Sequence, residues 1–164
     1  MAAAAKPGAL LVPLRGNLDT RLRKLAEGEF DAMIAAVAGL NRLGRSDAAK
    51  EPLDPSVMLP SPAQGALALE VKSSRKDAAG LVAALDHAET RTAVEFERGF
   101  LAAVGGGCGS PVGAHARAQS GGILLEGFYA HDGERTGKRV AGLCGDPSRR
   151  ESFVADLAAQ AKAR

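Results

Sequence analysis

Tryptophan is absent from this chain, and aromatic residues make up only 4% of it, as five Phe and one Tyr. A core of large aromatic plates is therefore excluded, and Ala, Leu and Val must fill the interior. Cysteine is nearly as scarce. Cys108 and Cys144 alone cannot build a disulfide framework, and the pattern suits reduced thiols in a reducing compartment. A dominant charge sign is lacking too, with 21 basic against 19 acidic residues and a net charge of +2. That balance does not suggest nucleic-acid binding, which needs a concentrated basic face. No apolar run approaches the roughly 18 residues of a membrane helix. The opening Met1–Gly8 has neither the apolar length of a signal peptide nor the Arg/Ser-rich look of a transit peptide. Together these absences read as a soluble cytoplasmic protein without a membrane or nucleic-acid partner and without a metal-ligand cluster.

What the chain does have is a concentration of glycine. Gly105-Gly106-Gly107-Cys108-Gly109-Ser110-Pro111-Val112-Gly113 places five glycines in nine residues around one thiol. Such a stretch cannot hold a helix or a strand interior, and it lets another group come close to the backbone. His87 to Val104 before it reads as a long amphipathic helix, so Cys108 follows a helix C-terminus. The negative end of the helix dipole does not activate a thiol. The loop therefore suits access for a large group better than an activated thiolate. A glycine-rich turn with an incidental cysteine is the plainer alternative.

In chain order, Ala9 to Leu14 reads as a short buried strand, with Pro13 confining it to an edge. Asn17 is a candidate N-cap for a helix that places Leu18, Leu22 and Leu25 on one face and ends at Gly28 in the C′ position. Phe30 to Val37 reads as a second strand, which completes a βαβ unit. A short helix from Gly39 to Leu43 ends at Gly44. Arg45 to Pro62, with Pro52, Pro55, Pro60 and Pro62, is a connector. Gln64 to Val71 alternates as a strand. Ala78 to Leu85 and His87 to Val104 read as helices, with Asp86 capping the second. Val112 to Ala118, Ile123 to Ala130 and Gly137 to Leu143 read as an antiparallel meander turned at Gly121-Gly122 and Asp132-Gly133. Asp146-Pro147-Ser148 opens a final helix to Lys162. The organisation expected is an α/β piece over residues 1–55, a hinge and crossing strand over 56–72, and an α+β domain over 73–164.

Arg15-Gly16-Asn17 lies between a predicted strand and a helix start, where α/β sheets hold anionic ligands. Arg21 is near the same helix start, and Arg42 follows the second predicted strand. Three guanidinium forks at one sheet edge suit carboxylates or phosphates; solvated surface arginines are the alternative.

These segments resemble the porphobilinogen deaminase (hydroxymethylbilane synthase) family. The resemblance is carried by Leu14-Arg15-Gly16-Asn17-Leu18-Asp19-Thr20-Arg21-Leu22 and by Asp31 through Gly44 (DAMIAAVAGLNRLG). It continues in Pro60 through Gly65 with its Gln64-Gly65 pair, in His87-Ala88-Glu89-Thr90, and in Gly106-Gly107-Cys108 with Pro111-Val112-Gly113. Order and spacing match as well. The resemblance implies a partial periplasmic-binding-protein-like βαβ domain, then a small domain with a three-stranded antiparallel sheet and helices. It implies a transferase of haem and porphyrin biosynthesis that condenses four porphobilinogen units into linear hydroxymethylbilane with release of ammonia. It implies a dipyrromethane cofactor held as a thioether on Cys108, beside Gly107, with Arg15, Arg21 and Arg42 pairing the pyrrole carboxylates. Porphobilinogen and linear pyrrole intermediates would be its small-molecule partners. Against that family's three domains, the chain lacks counterparts of the first domain and of the start of the second. The acid that assists protonation belongs to that part, so no catalytic residue is expected here, and Asp19 and Asp31 read as structural. A chain carrying the N-terminal domain is then a possible partner, and this chain alone is expected to be inactive. A non-catalytic pyrrole-binding module and a decayed fragment are the competing readings.

Overall fold

A computed structural model describes residues 8–107, 109–131, 133–134 and 136–163. Helix α1 (Leu18–Ala26) starts where expected, because the Asn17 Oδ1 accepts the Thr20 N–H at 2.9 Å. It ends where Gly28 takes φ +78°, a left-handed turn that glycine enters at little cost. Leu18, Leu22 and Leu25 are half-buried on one face. Helix α2 (Val37–Arg42) buries Leu40 and packs on α1, and a Cβ on Gly39 would stand 3.2 Å from Leu18 Cδ2.

The strands expected on either side of α1 do not form. Residues 9–14 and 30–37 carry no ladder, and neither does Gln64 to Val71, whose first residues form a turn instead. The physical reason is the absence of partners. A strand is defined by the chain it pairs with, and an unpaired pair of segments gains too little to order. Leu10 is 82% exposed, Leu67 81%, and Ile34 lies open as well. The expected βαβ unit is therefore represented by its helices alone, and the periplasmic-binding-protein-like arrangement is not observed.

The second half folds around its own core. Helix α3 (Lys76–Ala83) leads into α4 (Ala88–Val104). The cap of α4 is His87, whose Nδ1 accepts the Thr90 N–H, and not the expected Asp86. Asp86 is instead taken up by a bidentate pair with Arg91. Strands β1 (Val112–Gln119), β2 (Gly122–Tyr129) and β3 (Lys138–Cys144) form the expected antiparallel meander in the order β1-β2-β3. Its register runs from Val112 opposite Tyr129 and Ile123 opposite Cys144. Of the second turn, Asp132 lies outside the described residues, and Gly133 has φ +82°. A 3₁₀ turn at Pro147–Arg149, with the Asp146 carboxylate accepting the Ser148 N–H, opens helix α5 (Arg150–Lys162).

Helices α4 and α5 cover one face of the sheet. Phe96 and Phe100 from α4, Leu125 from β2, and Val154 and Leu157 from α5 form its centre. Each such large side chain stabilises by about 1.5–3 kcal/mol through burial. The connector covers one end of the other face, and Leu143 at its far end stays exposed. Leu59, 1% exposed, packs with Phe128 and Ala130, and Arg139 of β3 donates to the carbonyls of Pro55 and Ser56. β1 is an edge strand, and two of its outward N–H groups are satisfied: Ala114 donates to Pro60 O and Ala116 to Glu97 Oε1. Edge groups left bare would invite pairing with another chain.

Candidate functional site

The glycine stretch is built in two parts. Its root is tight. Gly105 caps α4 with φ +78°, and a Cβ on Gly106 would stand 2.8 Å from Leu101 Cδ1 and 3.0 Å from Val112 Cγ2. Only glycine fits there without moving core side chains. Its outer part is open. A Cβ on Gly107 or on Gly109 would meet nothing within 4 Å. Gly107 is exposed, and its N–H donates to Ser110 Oγ at 2.9 Å, which closes the loop on itself. Cys108 lies outside the described residues. The two positions flanking it have room for a bulky group.

The arginines are placed individually. Arg21 is half-buried on α1, and its Nε donates to Gly16 O at 2.8 Å. This bond ties the guanidinium to the turn before the helix, and among the described residues its two terminal nitrogens make no hydrogen bond. Gly16 itself has φ +114°. Arg15 precedes it and is exposed; Arg42 is exposed at the end of α2. Because α1 and α2 touch through Leu18 and Gly39, Arg21 and Arg42 sit on neighbouring helices. Among the described residues no hydrogen bond or ion pair joins any of the three to the glycine loop. Asp19 lies in the first turn of α1, where a carboxylate complements the helix dipole, and Asp31 lies in a bend; both are exposed.

Two residues that matter to this geometry escape a reading of the sequence. Glu97 is buried on α4 beside Phe96, and its two oxygens accept the Ala63 N–H at 2.7 Å and the Ala116 N–H at 2.9 Å. A carboxylate within the apolar arc of an amphipathic helix was the available signal. Arg139 gives no such signal, since its partners in the connector are more than 80 residues away. No helix among the described residues is long and apolar enough to cross a membrane.

Comparison with known proteins agrees with this layout. Residues 1–80, with all three arginines, match the family model described as "Porphobilinogen deaminase, dipyromethane cofactor binding domain". Residues 91–162, with the glycine loop, match "Porphobilinogen deaminase, C-terminal domain". A porphobilinogen deaminase of Roseiflexus sp. strain RS-1 is 44% identical over 140 residues, which is 85% of this chain and 45% of the relative. One from Nitratidesulfovibrio vulgaris strain Miyazaki F is 49% identical over 138 residues, 84% of this chain and 43% of the relative. One from Mycolicibacterium gilvum is 54% identical over 104 residues, 63% of this chain and 33% of the relative. The chain thus spans less than half the length of these relatives. Two models of one family, matched in succession and together taking in nearly every residue from the arginine helix to α5, place this chain in the porphobilinogen deaminase family.

Proposed function

We propose that this chain supplies the cofactor-bearing portion of a hydroxymethylbilane synthase, a transferase that joins four porphobilinogen units into a linear tetrapyrrole and releases ammonia. The observation that carries the reading is an anion-suited helix start at Arg15–Arg21 in the same chain as a glycine loop that is tight at its root and open at Gly107 and Gly109. The residues suit a dipyrromethane group on these grounds. Such a group is bulky and carries carboxylates, and the chain offers open space at Gly107 and Gly109 together with guanidinium forks. When bound, it would supply the primer on which the pyrrole chain grows. In this reading the Cys108 sulfur is its thioether anchor, and Arg15, Arg21 and Arg42 pair its carboxylates or those of the incoming pyrrole.

We assign residues 1–55 to an α/β unit, 56–72 to a connecting segment and 73–164 to the cofactor-attachment unit. The exposed apolar segments at 9–14, 30–37 and 64–71 take strand pairing from residues beyond this chain, which would complete a periplasmic-binding-protein-like βαβ domain. The acid that assists protonation is supplied there too. A positioned acid or base is typically worth a factor of about 10²–10⁴ in rate, so the chain alone should not turn over porphobilinogen.

The deciding experiment is intact mass after co-expression with a polypeptide covering the first half of a relative. The mass should rise by one dipyrromethane. Cys108→Ser should lose the adduct and Cys144→Ser should keep it; the reverse pattern would refute the anchor. Turnover of porphobilinogen by the isolated chain at ordinary enzyme rates would show that the acid lies within it.

A further inference from the structure

Glu97 is a carboxylate in the core of α4, 8% exposed, in a helix that otherwise turns Phe96, Phe100 and Val104 inward. Burying a charged group is costly unless its lone pairs are taken up. Here both oxygens are used, on two segments distant in sequence. Oε1 accepts the Ala116 N–H of the β1 edge, and Oε2 accepts the Ala63 N–H of the connector. Ala63 has φ +62°, a left-handed backbone that an L-residue keeps only where its surroundings hold it. The same stretch is held nearby by Leu59 under Phe128 and by Pro60 O, which accepts the Ala114 N–H. Glu97 therefore occupies the place that a neighbouring strand's carbonyl would take on β1, and it turns that bond into a clasp on the connector.

We infer that Glu97 is a positioning residue, whose two oxygens set the direction in which the chain leaves the connector at Ala63 relative to the helix that ends at the glycine loop. The purpose of this arrangement rests on the proposed function, in which residues 64–71 receive a pairing strand from the complementary polypeptide. The incoming half would then be registered against Cys108 through α4. The geometry requires a carboxylate. A glutamine has the same shape but one acceptor oxygen and an amide nitrogen that would face a second N–H donor.

The test uses the whole chain and two measurements. Amide hydrogen exchange is followed by NMR in wild type and in Glu97→Gln. In Glu97→Gln, exchange at Ala63 or at Ala116, whichever faces the amide nitrogen, should accelerate about tenfold or more, because one of the two acceptors is lost, while amides inside the β2–β3 ladder keep their protection. The distance between spin labels on Leu67→Cys and on Ala103→Cys, an exposed position of α4, is then measured by electron resonance in a Cys108→Ser background. It should be narrower with Glu97 in place than in the labelled chain that also carries Glu97→Gln. Unchanged exchange at both Ala63 and Ala116 would overturn the clasp. Accelerated exchange with an unchanged distance distribution would make Glu97 a structural group only, and would overturn its positioning role. Failure of the chain with its native Cys108, co-expressed with the complementary polypeptide, to form a pyrrole adduct would defeat the proposed function while leaving both of these results readable.

Discussion

Arg139 on β3 meets Glu126 on β2 at 2.9 Å, and the same guanidinium donates to the carbonyls of Pro55 and Ser56. Arg117 on β1 closes on the other Glu126 oxygen at 2.6 Å. The carboxylate is 16% exposed, while Arg117 and Arg139 keep 46% and 32% of their side-chain surface in solvent, which screens the pairs in part. The three side chains cross the sheet on the face that the connector partly covers, and Arg139 ties this row to the connector without burying a bare charge.

This clasp makes stability depend on acid. Partial burial pushes the Glu126 carboxyl up, but hydrogen bonds and charge from Arg117 and Arg139 outweigh it and hold the group below its ordinary value of 4.5. The folded state then binds this proton less readily than the unfolded chain. The stabilisation is present above 4.5 and is lost as pH falls from there through the folded value. Urea midpoints measured over that range should decline in wild type and decline less in Glu126→Gln. Equal slopes would remove Glu126 from the acid response.

Gly127 lets the end of the Phe100 ring press against β2. An added Cβ would stand 2.7 Å from ring atom Cε2, in a core with no slack around a fully buried phenylalanine. Gly127→Ala should destabilise the sheet by about 1–3 kcal/mol or more. Denaturant unfolding followed by circular dichroism measures this directly, and a neutral result would mean that Phe100 has room to move.

Ala63→Gly should leave the fold intact and raise stability by up to about 1 kcal/mol. The left-handed backbone costs alanine roughly 1–2 kcal/mol, and glycine's greater unfolded-state freedom takes back part of the gain. The same thermal or urea series decides the sign. A clear loss of stability would mean that the Ala63 methyl contributes packing.

At the other end of the chain, the cap and the arginines separate by readout. Asn17→Ala removes the Oδ1 bond to Thr20 and should lower helix stability by about 0.5–2 kcal/mol. Arg21→Leu should instead weaken binding of a linear pyrrole carboxylate by about 1–3 kcal/mol, with a smaller salt dependence, and Arg15→Leu and Arg42→Leu should act alike. Calorimetric titration of each variant in complex with the complementary polypeptide checks this. Unchanged affinity in all three would leave them as surface residues.

Much of this was legible from residues alone because it depends on near neighbours. The Asn17 cap, the Gly28 and Gly44 stops, and the period of α4 and α5 are each decided within a few positions. So is the meander, whose alternation and short turns bring together strands adjacent in sequence. The Arg15 and Arg21 positions and the glycine loop were visible for the same reason, as residue types at short spacing. Asp86 misled because an N-cap and an ion-pair partner look alike in sequence, and Arg91 took its carboxylate.

The helices, their ends and the antiparallel sheet thus follow from local sequence, since caps, glycine turns and apolar period act over a few residues. Other features exist only through long-range contact. Residues 9–14, 30–37 and 64–71 have strand-like composition, but a strand exists only through the chain beside it, and none is there among the described residues. Glu97 and Arg139 gained their roles only when the connector folded across the sheet, because a hydrogen bond between residues 34 or 84 positions apart depends on the fold that brings them within 3 Å.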